Sequence, residues 1–291
     1  MFKKILVPLD GSQLSERSLE PALALRQQTG AELLLVRVPT ADTLSFAVSE
    51  ARQRELAQDA LAYLETIRTA NEQPQFSTRV QVLDGDVASA IVDAARAEQV
   101  DLIIMSTHGY SGLTRWVLGS VTEKVLRSAP SPVLAIRAAR HPQRILITLD
   151  GSPLAERAVE PGLSLAQNLQ AEVTMLRCVP HIVADAKLDE HERGLSRRMQ
   201  EDLLIEAKEY LRARSDEAAQ SGVVINPVTR IGSPADSILE YVETYGIDLI
   251  AMATHGRTGL KRWVYGSVTA KVLRSVSCSM LVVRPTDAEL N

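Results

Sequence analysis

The stretch KKILVPLDGSQLSERSLEPALAL, residues 3–25, returns as QRILITLDGSPLAERAVEPGLSL at residues 143–165. Each copy opens on a short apolar run, Ile5 to Leu9 in the first, that reads as a buried strand. The run stops at Asp-Gly-Ser, which is turn chemistry, and Leu19, Ala22 and Leu23 then fall at helical spacing. In the second copy Ser152 and Pro153 give an N-cap followed by proline at the first helical position. Pro21 and Pro161 lie inside these helical stretches, so a kink or a late helix start is expected there, and Gly30 is expected to end the first helix.

The repeat extends over the rest of the chain. VDLIIMSTHG at 100–109 matches IDLIAMATHG at 247–256, and GSVTEKVLRSAPSPVLAIR at 119–137 matches GSVTAKVLRSVSCSMLVVR at 266–284. The offset grows from 140 to 147, so the second copy is seven residues longer, with the excess in the polar stretch His181 to Ser196. Between these anchors the first copy predicts a strand over Glu32–Val38, a long polar helix over Ser45–Arg68 and a strand over Phe76–Leu83. A helix over Val87–Glu98, a strand over Leu102–Met105, a helix from about Gly119 and a strand over Val133–Arg137 follow. Strands alternating with helices imply a parallel sheet covered on both faces. The expected architecture is α/β: two tandem doubly wound domains, residues 1–138 and 143–287, each a five-stranded parallel sheet flanked by helices. The segment RAARHPQ, 137–143, is the expected linker.

Composition narrows the function classes. With 45% apolar and 23% charged residues in 291, the balance is that of a globular protein. A net charge of -4 and 4% aromatic residues argue against nucleic acid and anionic membrane as partners. No apolar run approaches the roughly 20 residues of a membrane span, and Pro8 and Asp10 cut the first apolar run too short for a signal-peptide core. Two distant cysteines, Cys178 and Cys278, predict no disulfide framework and a cytoplasmic setting. The five histidines and two cysteines show no metal-ligand spacing.

The chemistry concentrates in THGYSGLTRWVLGS, 107–120, and THGRTGLKRWVYGS, 254–267. In open parallel sheets ligands bind beyond the carboxyl ends of the strands, where the strand order reverses. At that end Gly109 and Gly256 allow close backbone approach to an anion. Gly119-Ser120 and Gly266-Ser267 open helices whose free N–H groups and positive dipole end favour one. Ser120 and Thr122 add hydroxyl donors. Neither the P-loop nor the dinucleotide fingerprint is present.

These residues resemble the universal stress proteins, in the nucleotide-binding branch and in tandem arrangement. That branch carries G-x2-G-x9-G-[ST] after its fourth strand. Here the pattern reads Ser106-x2-Gly109-x9-Gly119-Ser120 and Ala253-x2-Gly256-x9-Gly266-Ser267, with a small residue for the first glycine in both copies. The resemblance implies a Rossmann-like, adenine nucleotide alpha-hydrolase-like fold that binds ATP, ADP or AMP, accompanied by Mg2+. It implies that Asp10 and Asp150 lie near ribose, phosphates or the ion, that Val38 and Cys178 flank the adenine, and that Gly109, Gly119, Ser120, Val121 and Thr122 cradle phosphates. In the second copy that cradle is Gly256, Gly266, Ser267, Val268 and Thr269. Pro8, Leu9, Met105, Ser106 and His108, with Thr148, Leu149, Met252, Ala253 and His255, complete the two expected sites. The family also pairs through its last strand, which implies an internal pseudo-dimer and leaves room for a homodimer and an unknown protein partner.

Plainer readings accompany the same residues. Ser120 and Glu123 have capping-box spacing, Asp10 and Asp150 can simply organise an Asp-Gly turn, and His108 and His255 can be loop residues bonded to backbone. Arg115, Lys261 and Arg262 either steer phosphates or are solvated, and Cys178 is most simply a small apolar group. Three functions stay open: an ATP-binding regulatory module with slow or no hydrolysis, a slow Mg-dependent ATPase, and a nucleotide-free interaction or chaperone-like stress protein.

Overall fold

A computed structural model describes residues 2–40, 50–107, 118–137, 141–182, 189–254 and 265–284. The chain divides into two compact units, Met1–Ala139 and Arg140–Asn291. The first runs β1 (Lys4–Pro8), α1 (Gln13–Glu16), α2 (Leu19–Thr29), β2 (Glu32–Arg37), α3 (Glu50–Ala70), β3 (Thr78–Val82), α4 (Val87–Ala97), β4 (Leu102–Ser106), α5 (Ser120–Ser128) and β5 (Val133–Ile136). The second repeats it as β6 (Arg144–Leu149), α6 (Pro153–Glu156), α7 (Val159–Leu169), β7 (Glu172–Val179), α8 (Glu190–Ala218), β8 (Ile225–Ile231), α9 (Pro234–Tyr245), β9 (Leu249–Ala253), α10 (Ser267–Ser275) and β10 (Ser279–Val283).

Within the first unit the strand order is β3-β2-β1-β4-β5, all parallel, and within the second β8-β7-β6-β9-β10. β1 lies between β2 and β4, pairing Ile5 with Leu33 on one side and Leu102 on the other. The chain therefore leaves β1 in one direction along the sheet and returns to β4 in the other, which opens a crevice at their carboxyl ends. The central strands hold the core: Ile5, Leu6, Val7, Leu102, Ile103 and Ile104 are fully buried, as are Ile145, Leu146, Ile147, Leu249, Ile250 and Ala251. Burying each large aliphatic side chain contributes about 1.5–3 kcal/mol. The outer strand β3 alternates in exposure, and the outer strand β8 accommodates Pro227, which lacks the N–H a central strand would need.

The expected elements form with ends shifted by a residue or two, save that the helix start expected at Ser45 lies outside the described residues. The prolines produce a late start rather than a kink: a single turn, α1, precedes α2, and Pro21 sits in the first turn of α2, where an N–H has no helical acceptor in any case. Pro161 does the same in α7. Gly30 caps α2, and Ser152 accepts from the Ala155 N–H with Pro153 opening α6. In the polar stretch His181–Ser196, which the sequence left without an assigned element, residues 190–196 belong to α8. Asp189 accepts from the Glu192 N–H at 2.8 Å, while the Glu192 carboxylate accepts from the Asp189 N–H at 2.9 Å. This reciprocal cap opens α8. Residues 183–188 of the stretch lie outside the described residues.

Candidate functional site

The Asp-Gly turn after β1 is shaped by one backbone angle. Gly11 has φ +88°, a left-handed conformation that side chains disfavour, and an added Cβ would meet the Arg37 guanidinium at 3.0 Å. The turn brings the Asp10 carboxylate round to accept from the Ser12 N–H at 2.9 Å, and Ser12 then caps α1. Asp150 accepts from Ser152 at 2.9 Å in the same way, with Gly151 at φ +84°. The turn-forming reading of both aspartates therefore holds, and both also face a cavity.

The neighbouring wall comes from the start of α5. Gly119 is its N-cap, and the first intrahelical bond runs from the Glu123 N–H to the Gly119 carbonyl. The N–H groups of Ser120, Val121 and Thr122 precede that bond, and no side chain caps the helix. The capping box expected at Ser120 and Glu123 is thus corrected. Ser120 is already inside the helix, and Glu123 instead pairs with Arg127 at 2.7 Å. The Gly119 N–H donates to the Thr107 carbonyl at 2.9 Å, so close that a Cβ on Gly119 would lie 2.8 Å from that oxygen. Gly266 repeats the cap at α10 and bonds the Thr254 carbonyl at 2.9 Å, with 3.5 Å of room for a Cβ. The hydroxyl of Thr122 is committed elsewhere. It donates to the Ser106 carbonyl at 3.0 Å, as Thr269 does to Ala253, and both threonines are buried. The expectation that the Thr122 hydroxyl is a ligand donor is therefore corrected, and only its backbone N–H faces the opening helix turn.

Between turn and helix the first unit holds a cavity of about 260 Å3. Its polar end is formed by Asp10, Ser15, Ser106, Thr107 and Gly119 to Thr122, and its apolar side by Leu9, Val36, Val38, Val87, Ile91 and Met105, with Pro8 between. The second unit holds one of about 310 Å3. Asp150, Thr148 and Gly266 to Thr269 line it together with Leu149, Leu176, Cys178, Pro180, Pro234, Ile238 and Met252, with Ala253 and Ala155. Burial pushes the Cys178 thiol up to about 11, so at neutral pH it is a neutral, apolar part of this wall. Ser106 and Ala253 have no left-handed backbone, so the glycine they replace is not required there by conformation.

Of the expected site residues, Pro8, Leu9, Asp10, Val38, Met105, Ser106, Gly119, Ser120, Val121 and Thr122 are brought together around the first cavity. Thr148, Leu149, Asp150, Cys178, Met252, Ala253, Gly266, Ser267, Val268 and Thr269 surround the second. His108, Gly109, His255 and Gly256 lie outside the described residues, as do Arg115, Lys261 and Arg262. Sequence reasoning missed Val87 and Ile91, and their counterparts Pro234 and Ile238, which cover the apolar side from α4 and α9. Their i, i+4 spacing was visible, but it marks a core face as readily as a ligand wall. Among the described residues no group of three or more His, Cys, Asp or Glu side chains could hold a metal ion, and no helix is long and apolar enough to cross a membrane.

The sequence model of the universal stress protein family matches residues 1–137 and again 142–284. The chain belongs to the universal stress protein family, as a tandem member with two copies of its domain. It is similar to the universal stress protein E homolog of Haemophilus influenzae, with 25% identity and 98% of each chain covered. A universal stress protein of Methanothermobacter thermautotrophicus is 37% identical over 47% of this chain and 97% of its own. Among solved structures, a universal stress protein from Archaeoglobus fulgidus superposes with a TM-score of 0.69 at 20% identity, over 98% of this chain and 97% of that one. At that identity the structural likeness speaks for the fold.

Proposed function

We propose that each unit binds one adenine nucleotide and that the protein serves as an ATP-binding regulatory module in a stress response, with slow hydrolysis or none. The observation that carries this is the two-sided cavity, present in both units. Apolar lining suited to a flat base shares the cavity with a helix N-terminus that has three backbone donors ahead of its first intrahelical bond and no side-chain cap. Such a terminus favours phosphate. In this reading Val38 and Cys178 flank the adenine, Ser120 to Thr122 and Ser267 to Thr269 hold phosphates through their N–H groups at the helix starts that Gly119 and Gly266 open, and Gly109 and Gly256 add to them. Asp10 and Asp150 bind a Mg2+ ion that arrives with the phosphates. Slow turnover is inferred from a phosphate cradle that lacks the P-loop lysine.

The test is to denature freshly purified protein, identify the released nucleotide by chromatography, and titrate stripped protein with Mg-ATP by calorimetry. About two adenine nucleotides per chain are expected, with saturation at micromolar to millimolar ligand. No released nucleotide together with no heat at millimolar Mg-ATP overturns the reading.

A further inference from the structure

The long helices α3 and α8 line neither cavity, yet each bonds the short helix that follows an Asp-Gly turn that does. In the first unit the Tyr63 hydroxyl on α3 donates to the Glu16 carboxylate at 2.8 Å, and Glu16 lies on α1, the turn of helix that follows Asp10. The Arg37 guanidinium lies 4.7 Å from the centre of the Tyr63 ring and also lies against Gly11. The second unit repeats the phenol, carboxylate and guanidinium with Tyr210, Glu156 and Arg177, and adds Glu206 to Arg177 at 2.8 Å and Arg214 to Glu156 at 3.6 Å. The phenol donates at 2.8 Å, and the guanidinium sits 4.8 Å over the ring. Burial first, and then the adjoining carboxylate, hold both phenols well above their ordinary titration range, so each remains a donor at any physiological pH.

We propose that these residues are positioning residues for the polyphosphate end of the ligand: Tyr63, Glu16 and Arg37 tie α3 to the Asp10 turn, and Tyr210 and Glu156 tie α8 to the short helix that follows Asp150. The proposal rests on the nucleotide reading above. The geometry is that of a bracket. Arg37 backs the Gly11 peptide while Glu16 pins the helix that Ser12 caps, so Asp10 is held from both ends of its turn. The register of β1 on β4, carried forward from Ile5 opposite Leu102, sets this turn beside the end of β4, and both border one cavity with the start of α5. Fixing the turn in advance reduces what binding must order. The effect is confined to the part of the ligand that reaches the turn and the helix start. The base, on the far apolar side, does not feel it.

The experiment compares wild-type protein, the double variant Tyr63→Phe with Tyr210→Phe, and the double variant Glu16→Gln with Glu156→Gln. Dissociation constants for Mg-ATP and for AMP are measured by calorimetry, AMP by competition. Phenylalanine keeps the ring under the arginine and removes only the hydrogen bond. Mg-ATP binding is expected to weaken about five- to tenfold, the size of one net hydrogen bond, with AMP within about twofold of wild type. Glutamine retains an accepting oxygen and should recover most of that loss. Unchanged Mg-ATP affinity in the phenylalanine variant overturns the proposal. So does a parallel loss for AMP, the mark of general destabilisation, or a glutamine variant as impaired as the phenylalanine one. Wild-type protein that binds neither ligand would instead remove the nucleotide reading itself.

Discussion

Gly119 and Gly266 occupy the same place in the repeat and share one backbone conformation, yet their surroundings differ by the position of a single carbonyl. A Cβ at Gly119 would lie 2.8 Å from the Thr107 oxygen, and one at Gly266 would lie 3.5 Å from the Thr254 oxygen. The first distance is inside contact and the obstacle is backbone, which has no rotamer with which to move aside. Gly119→Ala is therefore expected to destabilise its unit by about 1–3 kcal/mol, in the range of overpacking, whereas Gly266→Ala stays nearly neutral. Urea denaturation of the two variants checks this, and equal losses would mean that the helix start yields as readily in one unit as in the other. The residue scale also shows what a sequence hides. Arg26 reads as one more charged position on an amphipathic helix. It is 2% exposed, bonded to the Thr78 hydroxyl at 2.8 Å and the Asn71 carbonyl at 3.1 Å. Both partners are about fifty positions away along the chain, beyond the reach of local pattern. The Tyr63 and Glu16 pair is hidden for the same reason.

At the scale of elements, the two ends of the sheet do different work. The carboxyl ends of the strands carry the cavities, and the amino ends of the first unit carry an ion network. Glu98, which caps the end of α4, meets Arg79 of β3 at 2.6 Å and Lys4 of β1 at 3.1 Å, and Arg79 also pairs with Glu32 of β2. Hydrogen bonds from Arg79 and then Lys4 pull the Glu98 carboxyl down to about 2, against an ordinary value of 4.5. A carboxylate depressed on folding contributes stability above its unfolded value and loses it as pH falls through the folded one. Between about pH 4.5 and 2 the wild-type first unit should therefore lose stability that Glu98→Gln never had, so the two stability–pH curves converge at the acid end. Thermal melts over that range check it, and parallel curves would show that the exposed network is screened to nothing. Elements are also where the sequence was most legible. Strand and helix order followed from apolar runs and turn residues, because buried parallel strands must be short, continuous and apolar. The start of α8 at Glu190 was illegible, since its cap signal, Asp189 with Glu192, stands in a stretch too polar to show a helical face.

At the scale of the molecule, duplication made the site readable. One loop with glycines is weak information, but the same residues at the same spacing in two halves pick out positions with a shared role. All the expected site residues that fall within the described segments line the two cavities. The second layer, Val87 with Ile91 and Pro234 with Ile238, stayed hidden because a ligand wall and a core face obey one spacing rule. Each cavity is built within its own unit, and that argues for sites that fill independently. Aspartate is the probing substitution, because a carboxylate at the N-cap bonds the open N–H groups of the helix and repels phosphate from them. Gly119→Asp and Gly266→Asp are each expected to reduce bound nucleotide from about two per chain to about one, and the double variant to none, with the surviving site keeping its dissociation constant within about twofold. Calorimetric titration with Mg-ATP reads both numbers at once. A single variant that empties both sites, or that shifts the remaining dissociation constant tenfold or more, would replace independence with a coupling free energy of about 1.4 kcal/mol or more between the halves. The duplicated chain would then act as one allosteric unit rather than two independent receptors.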